Sequence, residues 1–174
     1  MAAAQDSSRL RTVATQSPFR VVLVEPEIPP NTGNIARLCA ATRTPLHLVG
    51  KLGFSIDDHA VRRAGLDYWP LVQLATHATL EQAEATFEAP CRSWLLSGKA
   101  SRRYLDDAFE DGDALVFGKE SSGLPNELLA KRAEQVIGIP TLGEVRSHNI
   151  ANAVAIVLYE ALRQRGLLRL TERR

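Results

Sequence analysis

From Arg20 to Arg165 the chain alternates short apolar runs with amphipathic stretches. Arg20-Val-Val-Leu-Val24 is a β-rich run closed by Pro26 and the Pro29-Pro30 pair. Leu46-His-Leu-Val49, Ser93-Trp-Leu-Leu96, Ala114-Leu-Val-Phe117 and Gln135-Val-Ile-Gly-Ile139 predict further strands, with Leu71 to Leu74 a shorter one. His47 alternates with Leu46 and Leu48, so it is expected to point out of its strand. Between these runs the period changes. A helix should open near Asn31 or Thr32, both good N-caps, with Ile35, Leu38, Cys39 and Thr42 forming one stripe. Asn34 and Arg37, three apart, share a different face of that helix. Asp57 to Ala64 reads as helix with Gly65 as its cap, as do Leu80 to Phe87 and Pro125 to Lys131, the last with Pro in its first turn. Ile150 to Gln164 has a broad stripe of Ile150, Ala153, Val154, Val157, Leu158, Ala161 and Leu162. Strands alternating with helices predict an α/β domain with a mostly parallel sheet.

Length adds that this is one domain with a core of its own, since the chain has 174 residues. The pattern assigns 19–165 to that domain, 1–18 to a flexible or disordered N-terminal extension and 166–174 to a basic tail. The extension carries Arg9, Arg11 and several Ser/Thr, a weak echo of a transit peptide, and it lacks the apolar core of a signal peptide. No run reaches the roughly 18 apolar residues of a membrane span, so the cytoplasm is the expected location. The formal net charge is +1, so bulk charge gives no push toward nucleic acid and any basic surface must be local. Basic residues do bunch, at Arg62-Arg63, Arg102-Arg103 and Arg163 to Arg174. Cys39 and Cys91 have no metal-ligand spacing and make no disulfide framework, and Cys39 lies on an apolar stripe. His47, His59, His77 and His148 likewise share no ligand spacing, so no metal is expected.

Candidate chemistry gathers where strands hand over to helices, the place where open α/β sheets bind ligands. Three patches stand there: Asn31-Thr-Gly-Asn-Ile-Ala-Arg37; Phe117-Gly-Lys-Glu-Ser-Ser-Gly-Leu124; and Ile139-Pro140 with Arg146-Ser-His-Asn-Ile-Ala-Asn152. Gly118 to Gly123 has the glycine spacing of a phosphate loop, yet Leu124-Pro125 stands where Lys-Ser/Thr is required. There is no GxGxxG after the first strand and no GxSxG elbow, so NTP hydrolysis, dinucleotide redox chemistry and serine hydrolysis lose support. What remains is a turn whose glycines let backbone approach a ligand, with Glu120 as a carboxylate inside it. Asn31, Asn34, Ser147 and Asn149 read first as capping residues. Asn152, in the first turn of the last helix, is expected to meet a ligand or backbone. Trp69 and Trp94 read as core; Tyr68 and Phe54, near Arg62-Arg63, read as core or as base-stacking rings.

The three patches resemble motifs one, two and three of the SPOUT, or trefoil-knotted, methyltransferases. Glu25-Pro-Glu-Ile-Pro-Pro-Asn-Thr-Gly-Asn34, Arg37-Leu-Cys39 and Arg62-Arg-Ala-Gly-Leu-Asp-Tyr68 resemble a narrower group, the tRNA (cytidine/uridine) 2′-O-methyltransferases acting on the wobble nucleotide. The likeness runs from about Phe19 to Arg165. It implies a deep C-terminal trefoil knot in the α/β domain, which general topology rules would not have proposed. It also implies a homodimer built on the stripes of the first and last helices, and S-adenosylmethionine bound in a bent shape through backbone groups. The implied cofactor residues are Leu96, Gly118, Ile139 and Ser147, with Glu120, Leu124 and Asn149 in the same loops. His148 stands where the family usually has an apolar residue.

The implied reaction is methyl transfer to the ribose 2′-hydroxyl of cytidine or uridine 34, with tRNA-Leu the expected substrate. The implied catalytic residue is Arg37, assigned in related enzymes sometimes as a general base. A guanidinium stays protonated and is a poor base, so Arg37 is read as orienting phosphate and stabilising oxyanion charge, with Asn31, Ser147 and Asn149 positioning ribose and cofactor. Without an extra RNA-binding domain, tRNA contacts fall to Arg62, Arg63, Lys99, Arg102, Arg103 and Arg146. Two rivals remain: the same chemistry at another tRNA site or on rRNA, and a knotted RNA-binding protein without turnover.

Overall fold

The computed structural model describes residues 10–14, 16–54, 68–88 and 90–170. Six parallel strands form one sheet: β1 (Arg20–Val24), β2 (Leu46–Val49), β3 (Leu74–His77), β4 (Ser93–Leu96), β5 (Ala114–Phe117) and β6 (Val136–Ile137). Their order is β3-β2-β1-β5-β4-β6, so the chain crosses over between β1 and β5. β1, β4 and β5 have the predicted apolar runs as their full length because those runs are bounded by polar or turn residues. The last strand is cut to two residues, as Gly138 leaves the ladder to bond with Arg102 and Tyr104 instead. The run expected at Leu71 to Leu74 is a 3₁₀ turn, Trp69–Leu71, followed by β3.

Helices cover both faces. α1 (Pro29–Thr42) and α4 (Ile150–Gln164) pack on one, where Ile35, Ala36, Cys39, Val154, Val157 and Leu158 meet Val21, Leu23, Leu46, Leu48, Leu115 and Phe117. Burial pushes the Cys39 thiol up to about 12, in keeping with a core role. α2 (Leu80–Glu84) and α3 (Asn126–Lys131) lie on the other face, against Val22, Val49, Leu95 and Val116. This double cover corrects the reading of His47. Its side chain does point away from Leu46 and Leu48, but into the second layer, where it is 8% exposed. There His47 Nδ1 lies 3.0 Å from His77 Nε2, the rings stack, and Phe87 closes edge-on. Burial, with His77 and Arg20 nearby, pulls the His47 pKa down to about 4.

α1 begins earlier than predicted. Ile28 is its N-cap, and Pro29 and Pro30 occupy the first helical positions, where a missing N–H costs nothing. The proline pair opens the helix rather than closing the strand, and Asn31 sits inside the first turn. Beyond β6 the chain runs against the segment after β4: Tyr104 N–H donates to Gly138 O and Gly138 N–H to Arg102 O, at 3.0 and 2.9 Å. A Cβ on Gly98 would lie 3.2 Å from Arg146 O. At the chain's extremes, Val13 N–H donates to Arg169 O at 2.9 Å and Thr12 bridges Leu170 antiparallel. The helix expected over 57–64, with Arg62 and Arg63, lies outside the described residues.

Candidate functional site

Glu120 organises the C-terminal edge of the sheet. It follows β5 by three residues, and its carboxylate accepts from the backbone N–H of Glu27 (2.9 Å) and Ile28 (3.3 Å) and from Asn31 Nδ2 (3.1 Å). The two backbone donors immediately precede α1 and Asn31 lies in its first turn, where the helix dipole favours an anion. The tie is reciprocal: Ser121 N–H donates to Glu27 Oε2 at 3.0 Å, and the Ser121 hydroxyl together with that N–H holds the Glu27 carboxyl below its usual pKa. Lys119 forms an ion pair with Glu25, a non-glycine residue at φ 49°. Strained backbone of this kind persists where surrounding contacts fix it.

Asn31 passes the connection to the third patch. Its Oδ1 accepts from Asn149 Nδ2 at 3.0 Å, and Asn149 Oδ1 accepts from Ala151 N–H at 2.9 Å as the cap of α4. The direction of this chain follows from its ends. An acceptor-only carboxylate faces Asn31 Nδ2, and a donor-only backbone N–H faces Asn149 Oδ1, so both amides have one self-consistent orientation. Asn31 is 8% exposed and both ends of its amide are occupied. Three patches separated by 89 and 118 residues are thus fastened into one edge.

The turn after β5 is shaped by its own backbone. A Cβ on Gly118 would lie 2.2 Å from Gly123 C and Leu124 N, and Gly123 has φ +72°. A Cβ on Gly138 would lie 2.7 Å from Ser97 O. Gly118 and Gly123 let the turn after β5 close on its own main chain, and Gly138 lets the loops after β4 and β6 pack main chain to main chain. The result is an edge of backbone groups bordered by apolar Leu96 and Leu124, both buried, and half-buried Ile139. Residues 140–149, including Ser147 and His148, are exposed throughout. Asn152 is also exposed.

Arg37 projects from the exposed face of α1, with Asn34 exposed beside it. Its guanidinium lies over the Tyr68 ring, 5.5 Å from the centroid, and Tyr68 Oη donates to Gly33 O at 3.1 Å. Tyr68 is half-buried against the core, a placement that left its contact with Arg37 invisible in the sequence. The other cations differ among themselves. Arg102 is ion-paired with Asp107 and donates to Glu134 O, and Arg103 is ion-paired with Asp106. Lys99 Nζ donates to Asn126 Oδ1 at 2.9 Å, and Arg146 stands in the exposed 140–149 stretch. An open cavity of about 760 Å³ lies elsewhere, lined by Cys91, Ser93, Arg132 and Gln135; none of the three patches reaches it. Among the described residues there is no cluster able to hold a metal and no helix long and apolar enough to cross a membrane.

Residues 18–159 match the family described as SpoU rRNA Methylase. A protein of Saccharophagus degradans named tRNA (cytidine(34)-2′-O)-methyltransferase is 48% identical over 149 residues, covering 85% of this chain and 96% of its own. A protein of Escherichia coli K12 with the same name is 47% identical over 149 residues, covering 85% and 94%. A solved structure from work on 2-OH methylation of C/U34 on tRNA superposes with TM-score 0.80 at 41% identity, covering 86% of this chain and 99% of its own. An AdoMet-bound rRNA methyltransferase of Sinorhizobium meliloti superposes with TM-score 0.71 at 26% identity, covering 89% and 61%.

Proposed function

The chain belongs to the SpoU methylase family, and we propose that it transfers a methyl group from S-adenosylmethionine to the ribose 2′-oxygen of nucleotide 34 of a tRNA, cytidine or uridine. The observation that carries this reading is the fastening of all three strand-end patches through Glu120, Asn31 and Asn149, beside an exposed arginine. The names of relatives at 47–48% identity supply the nucleotide. They favour tRNA over the rRNA in the family's description. The cytoplasm, where tRNA is processed, is the location this reading assigns.

S-adenosylmethionine supplies an electrophilic methyl on a sulfonium. Its adenine, ribose and amino-acid end need both hydrogen-bonding groups and apolar cover, and the loop edge offers both. Backbone at Leu96, Gly118, Ile139 and Ser147 would hold it, with Leu124 adding apolar contact and Glu120 and Asn149 fixing the loops. Glu120 also sets the N-terminus of α1, and so the placement of Arg37 about two turns on. A guanidinium keeps its proton, so Arg37 acts by holding RNA phosphate and offsetting negative charge on the 2′-oxygen as that hydroxyl loses its proton. Ser147 is exposed beside Asn149, where it can orient ribose.

A homodimer is part of the proposal. Leu142 and Val145 in the exposed loop, with Tyr159 on α4, leave apolar surface that a second copy would cover. Phosphate contacts fall to Arg146, Lys99, Arg62 and Arg63. Arg102 and Arg103 already have carboxylate partners and would have to exchange them to join.

The test is transfer from labelled S-adenosylmethionine to unmodified tRNA, read by nucleoside mass spectrometry. 2′-O-methylcytidine or 2′-O-methyluridine at position 34 is the expected product. Labelling confined to another tRNA position or to rRNA would overturn the substrate, and no transfer to any RNA would overturn the activity.

A further inference from the structure

We propose that Tyr68 is a positioning residue for Arg37, holding its guanidinium in the place the reaction uses. The inference rests on the function proposed above but is carried by separate contacts. Arg37 is exposed, and a long exposed side chain spreads over many rotamers. Here its guanidinium lies over an aromatic face, 5.5 Å from the ring centroid, which attracts a cation through the ring quadrupole. The ring is itself fixed. Tyr68 Oη donates to the carbonyl of Gly33, one helical turn before Arg37 on the same helix, and its body packs against the core. Ring and guanidinium therefore share one frame, α1, and cannot drift independently.

Three substitutions test it, with turnover measured on tRNA at saturating cofactor. Tyr68→Leu removes the ring and should lower kcat about tenfold while the KM for S-adenosylmethionine stays within about twofold. Tyr68→Phe keeps the ring face, loses the hydroxyl's bond to Gly33, and should recover more than about a third of kcat. In an Arg37→Ala background Tyr68→Leu should have little further effect, because its action passes through the Arg37 side chain. An equal loss from Tyr68→Leu in both backgrounds would overturn the proposal, as would unchanged kcat. The stacking has its own readout: NMR should show an upfield ring-current shift of the Arg37 side-chain protons, kept in Tyr68→Phe and lost in Tyr68→Leu. That shift tests the inference even if tRNA proves not to be the substrate, and its absence in the wild type would sink it.

Discussion

The two ends of β5 each carry a carboxylate, and the two do different work. Asp113, immediately before the strand, is 2% exposed and accepts from Arg92 N, Nε and Nη2, from Trp94 Nε1 and from Glu110 N. Its donors come from Arg92 just before β4, from Trp94 within it and from the approach to β5, so it knits the sheet's N-terminal edge into one unit. Glu120, after the strand, is half-buried, and its donors lie across the site on the start of α1. Burial with complete pairing makes the first a foundation, since removing it leaves the buried Trp94 Nε1 without an acceptor and breaks the ties of Arg92 and Glu110 at once. Partial exposure and long-range partners make the second a fastening between functional loops. Four residues of strand and two of turn separate a group that holds the fold from one that aligns the chemistry.

That contrast can be broken by substitution. Asp113→Ala should have the largest effect, a loss of about 3–4 kcal/mol in urea unfolding, while turnover per folded molecule stays near wild type. A fall in kcat without loss of stability would collapse the distinction. Arg37→Ala should do the reverse, lowering kcat by about 100-fold or more with stability changed by less than about 0.5 kcal/mol. At the Glu120 end, Glu120→Gln places an NH₂ group against one of the backbone donors it now accepts from. It should cost about 1–2 kcal/mol of stability and weaken S-adenosylmethionine binding in calorimetry. Asn149→Asp should weaken that binding similarly, because an acceptor then faces Asn31 Oδ1 and turning Asn31 over sets its oxygen against Glu120. A group at neither end shows itself only below neutral pH. The His47 pKa is about 4 in the fold against 6.5 for the free side chain, so between those values the unfolded chain binds a proton that the folded chain does not. Stability should therefore fall as pH drops from about 6.5 toward 4, and His47→Gln should flatten that part of the Tm–pH curve.

Most of the architecture was legible because parallel strands buried on both faces are apolar runs with sharp ends, as at Ser93–Leu96 and Ala114–Phe117. The same property defeated the reading of His47: with both faces covered, alternation says which layer a residue meets, not whether it meets water. Pro29-Pro30 was ambiguous for a local reason, since proline ends one element and opens the next equally well. At the site, the residue types and their strand-end places were readable. The bonds were not: nothing in one sequence says that Asn31 turns from capping its own helix to bridge Glu120 and Asn149. Nor could alternation show that Tyr68 would fold back over Arg37 across 31 residues.

One contact at the periphery bears on how the molecule could be rewired. Thr12-Val13 and Arg169-Leu170 lie side by side, so a short linker could join the two ends of the described chain without moving a strand. A new start could then be opened at Gly143, exposed and with nothing within 4 Å of where a Cβ would stand. Such a circular permutant would keep every strand neighbour and every bond of Glu120 while cutting the loop between β6 and α4. Connectivity and contact, inseparable in the natural chain, would become two separate variables.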